Sequence, residues 1–183
     1  QVDGAVVENR PVLLVTNHTS WLDIPVLSAL APVSFVAKKE VGGWPFVSAL
    51  ARLQRSVFVD RTRRQDAAEA ASEIMSRLLA GDTVVLFAEG TSSAGHTVLP
   101  FKSGEVVVQT AAVVYTHRHG IPLNRADRPR VGWYGDMEMQ SHAWEVLKGG
   151  PLTVRSTVSP PVPLVEYADR KDLALRSERA IRR

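Results

Sequence analysis

Short apolar runs recur along the first half of the chain, each bounded by polar, glycine or proline residues. Residues 12–15 follow Pro11 and give way to Thr16-Asn17-His18, the pattern of a buried strand feeding a loop. Residues 33–37, 56–59 and 83–88 repeat it. Between them lie helix-like stretches at residues 24–30, where Pro25 fits a first turn, at 46–53, and at 66–80. The last is the clearest, because it is rich in Ala and Glu, Ile74, Leu78, Met75 and Leu79 form an apolar stripe, and Gly81 is placed to stop it. Strands that are continuously apolar rather than alternating, and that take turns with helices, predict an α/β fold: a mostly parallel or mixed central sheet flanked by helices. In such a sheet the functional loops gather at the carboxyl ends of the strands. Asn17-His18, Asp60-Arg61 and Glu89-Gly90 each follow a strand and are expected to converge there.

Beyond Pro100 the pattern is weaker. Residues 106–108, 112–115, 131–134 and 153–158 read as strands, 118–130 as a polar loop, 159–163 as a proline-rich connection and 168–183 as a basic terminal helix.

Composition adds bounds. The chain has 183 residues, 45% of them hydrophobic and 22% charged, enough to bury one core, so residues 1–183 are expected to form a single domain. No apolar run approaches the roughly 18 residues that cross a bilayer. The absence of cysteine excludes disulfides, thiolate metal sites and cysteine nucleophiles, and is compatible with a reducing compartment. The net charge is only +3, but Arg52, Arg55, Arg61, Arg63 and Arg64 crowd one stretch, and Arg170, Lys171, Arg176, Arg179, Arg182 and Arg183 crowd the C-terminus. Such clusters suit an anionic surface or substrate; a solvated charged face explains the terminal one equally well.

The first loop holds the candidate chemistry. Histidine is suited to removing a proton from an alcohol near neutral pH. Asp23 follows His18 by five residues, which would place the two on different faces of one continuous helix. Pairing requires His18 in the loop and Asp23 in the first helical turn, with Thr19 or Ser20 as cap between them. Asp23 would then orient the imidazole, as in a triad without its serine. Spacing alone favours a capping histidine and a solvent-facing aspartate, since such a pair is common.

The whole string Asn17-His18-Thr19-Ser20-Trp21-Leu22-Asp23 resembles the His-x4-Asp signature of the glycerolipid acyltransferase family, which includes the enzymes that acylate lysophosphatidic acid. Phe58-Val59-Asp60-Arg61 resembles the family's second block and Phe87-Ala88-Glu89-Gly90-Thr91 its third. The segments 35–40, with Lys38, and 99–104, with Lys102, are also similar to family segments, so that the likeness covers residues 11–104 in the family's order. It implies acyl transfer from acyl-CoA or acyl-carrier protein to a lysolipid hydroxyl, with His18 as base and Asp23 as its orienter. The substrate-binding set it implies is Asn17, Lys38, Arg61, Glu89, Gly90, Thr91 and Lys102. It calls for no metal and no organic cofactor, implies no nucleic-acid partner, and places the protein peripherally on the cytoplasmic face of a bacterial inner membrane. The first-choice acceptor is 1-acylglycerol-3-phosphate, with a lyso-ornithine lipid as the alternative.

Three departures bear on that reading. Ser92 stands where the family's third block usually has an arginine, which leaves room for a zwitterionic acceptor. Residues 104–113 are too few for the helix and strand of the family's fourth block, so either residues 109–113 replace it or a segment is missing. The family's membrane-docking N-terminal helices have no counterpart in this sequence. Among competing signals, Gly90-Thr91-Ser92-Ser93-Ala94-Gly95 lacks the Gly-x-Ser-x-Gly elbow of a serine hydrolase. His117-Arg118-His119 lacks a third metal ligand nearby, and Trp133, Tyr134 and Trp144 read as packing residues. A reading of a different class, a basic module that binds anionic membranes without catalysis, explains the arginines but not His18, Asp23 and Glu89 at three strand ends.

Overall fold

The computed structural model describes residues 1–38, 57–59, 64–87, 104–133 and 137–182. Its centre is a mixed sheet of β1 (Val2–Asp3), β2 (Val12–Thr16), β3 (Val33–Lys38), β4 (Val57–Val59), β5 (Thr83–Phe87), β6 (Val107–Arg118), β7 (Ile121–Pro122), β8 (Leu152–Val158) and β9 (Val162–Pro163). Their order is β1-β8-β6-β2-β5-β3-β4, with β7 and β9 also on β6. From β6 to β4 all neighbours are parallel, whereas β6 runs antiparallel to β7, β8 and β9. The helices are α1 (Asp23–Ser28), α2 (Arg64–Leu79), α3 (Arg128–Val131), α4 (Met139–Lys148) and α5 (Arg170–Ile181).

The continuous apolar runs are explained by burial on both faces. Leu13, Val15, Val84, Leu86, Val106 and Val108 point to one core with Ile74 and Leu78 of α2 and Leu173 of α5. Val12, Leu14, Val33, Phe35, Val85 and Val107 point to the other with Val6 and Leu27 of α1. Alternate residues of a strand face opposite ways, so a strand buried on both sides has no polar face to show. Gln109 is the polar exception in the middle of β6, and its amide is used completely. Its Oε1 accepts from the Val7 N–H at 2.8 Å, while Nε2 donates to the carbonyls of Ala5 (3.0 Å) and Ser159 (2.7 Å). A buried amide satisfied this way pins the N-terminal segment to the sheet.

Several expectations are met and several corrected. The helix expected at 66–80 is α2, ended by Gly81 in the left-handed region at φ 89°. Among its described side chains, however, Ala71, Ile74 and Leu78 are buried and Leu79 is exposed. The two strands expected at 106–108 and 112–115 are one strand, β6. Residues 104–113 therefore carry no helix and enter the sheet directly. Residues 131–133 are not a strand, and Tyr134 lies outside the described residues: Val131 closes α3, where Pro129 sits in the first turn. The polar stretch 118–130 contains the end of β6, then β7 and α3. Helix α4 lies where no element was expected, and its Trp144, read as a packing residue, is 60% exposed. The chain turns at His119, φ 52°, so His117 and His119 do not share one extended face. The helix expected at 46–53 lies outside the described residues.

Candidate active site

The carboxyl ends of β2, β5, β3 and β4 lie along one edge of the sheet. Thr16 of β2 is level with Phe87 of β5, Phe35 of β3 with Val85, and Lys38 with Val59 of β4. At about 4.8 Å per strand step, the chain leaves β2 and β4 within roughly 15 Å of each other. The blocks that follow these strands in sequence therefore depart from one edge. Asn17, His18 and Asp23 lie among the described residues and Lys38 ends β3. Arg61, Glu89, Gly90, Thr91, Ser92 and Lys102 lie outside the described residues.

His18 sits in the loop after β2 and Asp23 opens α1, the geometry their pairing demanded. His18 Nδ1 is 3.0 Å from Asp23 Oδ2. The loop is not capped by Thr19 or Ser20: the residue before α1 is Leu22 in helical conformation, with no side-chain cap. The capping runs in reverse, because the Asp23 carboxylate reaches back and takes the backbone N–H groups of Thr19 (2.7 Å) and Ser20 (2.9 Å) on Oδ2. Its other oxygen accepts the Tyr115 hydroxyl at 2.6 Å. Asp23 is fully buried, so these four donors replace water as its solvation.

The pairing also sets the histidine's tautomer. Against a carboxylate, Nδ1 must carry the proton, which leaves the Nε2 lone pair free to accept one. The ring stacks on Phe87 with centroids 4.0 Å apart and is one-third exposed, so it is held in place yet open to a substrate.

Asn17 has a different task from the rest of the loop. Its Oδ1 accepts from the Val113 N–H at 2.8 Å and its Nδ2 donates to the Val113 carbonyl at 2.9 Å. A side-chain amide here imitates one rung of a sheet ladder, extending the β2–β6 pairing past Thr16 and docking the loop on β6. Both polar ends of Asn17 are engaged by protein, so it clamps the loop on β6.

Tyr115 escaped sequence reading. It stands in an apolar run of no known motif, 92 residues from Asp23. The available signal was its phenol after residues 110–114, which are only Thr, Ala and Val, since a half-buried Tyr hydroxyl needs a partner. Burial first, then the charge and hydrogen bond of Asp23, hold the phenol's pKa well above its ordinary 10.0. The folded chain thus retains this proton more tightly than the unfolded chain does. The stabilisation is fully present below pH 10 and is lost as pH climbs above it. Tyr167, raised chiefly by burial, acts in the same direction. Replacing Tyr115 by Phe is expected to shrink the fall in urea midpoint between about pH 9 and about pH 11. An unchanged fall would mean that Tyr115 does not donate to Asp23.

The loop has a second neighbour. The Trp133 N–H donates to the Thr19 carbonyl at 2.9 Å, and Trp21 Nε1 donates to Nδ1 of His142, in α4, at 3.2 Å. The region of α3 and α4 is therefore attached to the same loop that bears His18. Among the described residues no group of three His, Cys, Asp or Glu is placed to hold a metal ion. None of their helices is long and apolar enough to cross a membrane.

A sequence model of the family described as Acyltransferase matches residues 1–123. The chain is 45% identical to a lyso-ornithine lipid O-acyltransferase of Brucella abortus, over 98% of this chain and 73% of that protein. It is 31% identical to a 1-acyl-sn-glycerol-3-phosphate acyltransferase of Neisseria meningitidis, over 93% of this chain and 68% of that protein. Its fold is similar to that of the 1-acyl-sn-glycerophosphate acyltransferase of Thermotoga maritima, with a TM-score of 0.65 at 24% identity over 98% of this chain and 68% of the other. With two-thirds of its length matched by the family and a relative 45% identical along nearly all of it, the chain belongs to the acyltransferase family.

Proposed function

We propose that the chain moves an acyl group from a thioester to the hydroxyl of a lyso-ornithine lipid. The observation that carries the transfer chemistry is the His18–Asp23 pair, with Nδ1 protonated toward a buried carboxylate and Nε2 left to act. Nε2 takes the acceptor's hydroxyl proton as its oxygen attacks the thioester carbonyl. A C–O bond forms, and the tetrahedral oxyanion collapses with cleavage of the C–S bond. The departing thiolate takes the proton back from the imidazolium. Asp23 keeps the ring oriented and stabilises its charged form in between. The thioester is already activated, so no covalent intermediate on the protein and no metal are required. Acyl-CoA and acyl-carrier protein both supply such a thioester, and the acceptor's chemistry places the work at a membrane surface.

For the acceptor, the order of preference drawn from the sequence is reversed. The 45% identity to a lyso-ornithine lipid O-acyltransferase exceeds the 31% to a 1-acyl-sn-glycerol-3-phosphate acyltransferase. Ser92, in place of an arginine, leaves room for the same choice. Arg61, Glu89, Gly90 and Thr91, with Lys38 and Lys102, remain the proposed acceptor-side residues on the strength of their motifs. Lysophosphatidic acid is the second reading, favoured by the Neisseria relative. Thiol release, measured with acyl-CoA and with an acyl-carrier-protein thioester against both acceptors, distinguishes the two. Transfer to lyso-ornithine lipid at least tenfold faster at equal concentration is expected; transfer to lysophosphatidic acid alone would overturn the proposal.

A further inference from the structure

The four donors to Asp23 are divided unevenly between its oxygens. Oδ2 takes the N–H groups of His18 Nδ1 (3.0 Å), Thr19 (2.7 Å) and Ser20 (2.9 Å), whereas among the described residues Oδ1 has the Tyr115 hydroxyl, at 2.6 Å, as its donor. Rotation about the bond to a carboxylate is soft, so donors crowded on one oxygen do not fix the plane of the group. An anchor on the opposite oxygen does. In a side chain with no exposed surface, the phenol takes the place that water has in the open.

Strand β6 is shaped to deliver that phenol. It is level with the end of β2 where Ala111 faces Thr16, and it continues past that edge to Arg118. Ala111, Val113 and Tyr115 alternate onto the face of the sheet whose core includes Leu27 of α1. The Val113 backbone holds Asn17 and the Tyr115 side chain holds Asp23, so alternate positions of one strand grip both ends of the loop that bears His18. Immediately beyond, the pairing with β8 shifts register. Tyr115 is opposite Val154 but His117 is opposite Thr153, which leaves Thr116 as an extra residue. Such a bulge twists a strand and re-aims its side chains.

We infer that Tyr115 is a positioning residue of the transfer reaction: its hydroxyl fixes the plane of the Asp23 carboxylate so that Oδ2 stays aimed at His18 Nδ1. The inference rests on the assignment of His18 as base. The phenol is not itself an acid or base for the substrate, because its proton is committed to Asp23 and is held there well above the ordinary range of a tyrosine. Its donation favours the ionised carboxylate, so that once His18 has taken the acceptor's proton on Nε2, both ring protons stay on the imidazolium until the thiolate departs. A ring left to tilt on a loosened carboxylate turns its lone pair away from the acceptor hydroxyl, and small misplacements of a reacting group cost large factors in rate.

Tyr115→Phe keeps the ring and removes the hydroxyl. In thiol release by purified protein, with whichever of the two acceptors the parent uses, kcat is expected to fall about tenfold while KM for acceptor and donor stay within about twofold. The same change made on His18→Ala is expected to leave the residual rate within about twofold, since no imidazole is then present to be aimed. 3-Fluorotyrosine at this position returns the hydroxyl and is expected to restore kcat to about half of the parent value or more. An undiminished kcat in Tyr115→Phe would overturn the inference. So would a tenfold fall in the His18→Ala background, because a lost folded fraction or a direct contact with substrate lowers both backgrounds alike. Failure of 3-fluorotyrosine to restore kcat would overturn it too, by tracing the loss to packing instead of the hydroxyl. Parental transfer by His18→Ala alone would instead overturn the assignment on which the inference rests.

Discussion

Exchange of His18 for alanine is expected to lower kcat by about 10³-fold or more, while leaving the thermal midpoint within a few degrees of the parent. The asymmetry follows from where the side chain stands. Its ring is one-third exposed and packs mainly on Phe87, so its removal opens no large cavity. Asp23 would keep the Thr19, Ser20 and Tyr115 donors. Catalysis has no such reserve, because among the described residues His18 is the imidazole paired with Asp23. His142 is held by Trp21, and His119 turns against Gly150. Thiol release and a melting curve on the same sample check both halves. Transfer that survives at more than a tenth of the parent rate would refute the assignment of His18 as base.

Changing Asp23 should damage both properties. Asp23→Ala leaves two backbone N–H groups, the His18 Nδ1–H and the Tyr115 hydroxyl without their acceptor inside a fully buried site, a loss of about 3 to 5 kcal/mol. Asp23→Asn is the sharper probe. It conserves volume, but its NH2 either meets three N–H donors or faces the Tyr115 hydroxyl, which must then turn from donor to acceptor, and in both cases the charge that strengthened all four bonds is gone. Stability should then fall by about 2 to 4 kcal/mol. It also takes away the carboxylate that selects the Nδ1–H tautomer, so kcat should drop by about 10³ to 10⁴. Urea unfolding beside steady-state kinetics separates the two effects, and an Asn variant with parental kcat would show that the histidine needs no carboxylate.

The parts of this fold that were legible in the sequence are those governed by local pattern. Continuous apolar runs announced β2, β3, β4 and β5, and the His-x4-Asp string announced the loop. What stayed hidden depended on partners distant in the chain. Residues 106–115 read as two strands because Gln109 and Thr110 interrupt the apolar pattern, yet Gln109 is buried against Ala5, Val7 and Ser159. Trp21 stood in the motif string with no role of its own, and its partner, His142 of α4, lies 121 residues further along. Asn17 was read as a substrate contact because it adjoins His18 in the motif; the clamp on Val113 became visible only with β6 beside it. A side chain's type and neighbours in sequence reveal its chemistry, whereas its actual partner is set by topology.

The length of β6 also bears on the order in which the protein assembles. Strands β2 and β5 can pair using segments made early, but the loop between β2 and α1 is secured by Val113 and Tyr115, about ninety residues further along. Such distant contacts form late, because the chain between them must first be ordered. During synthesis the reactive histidine is therefore present long before it is aligned, and a nascent chain that ends ahead of β6 contains the motif without the site.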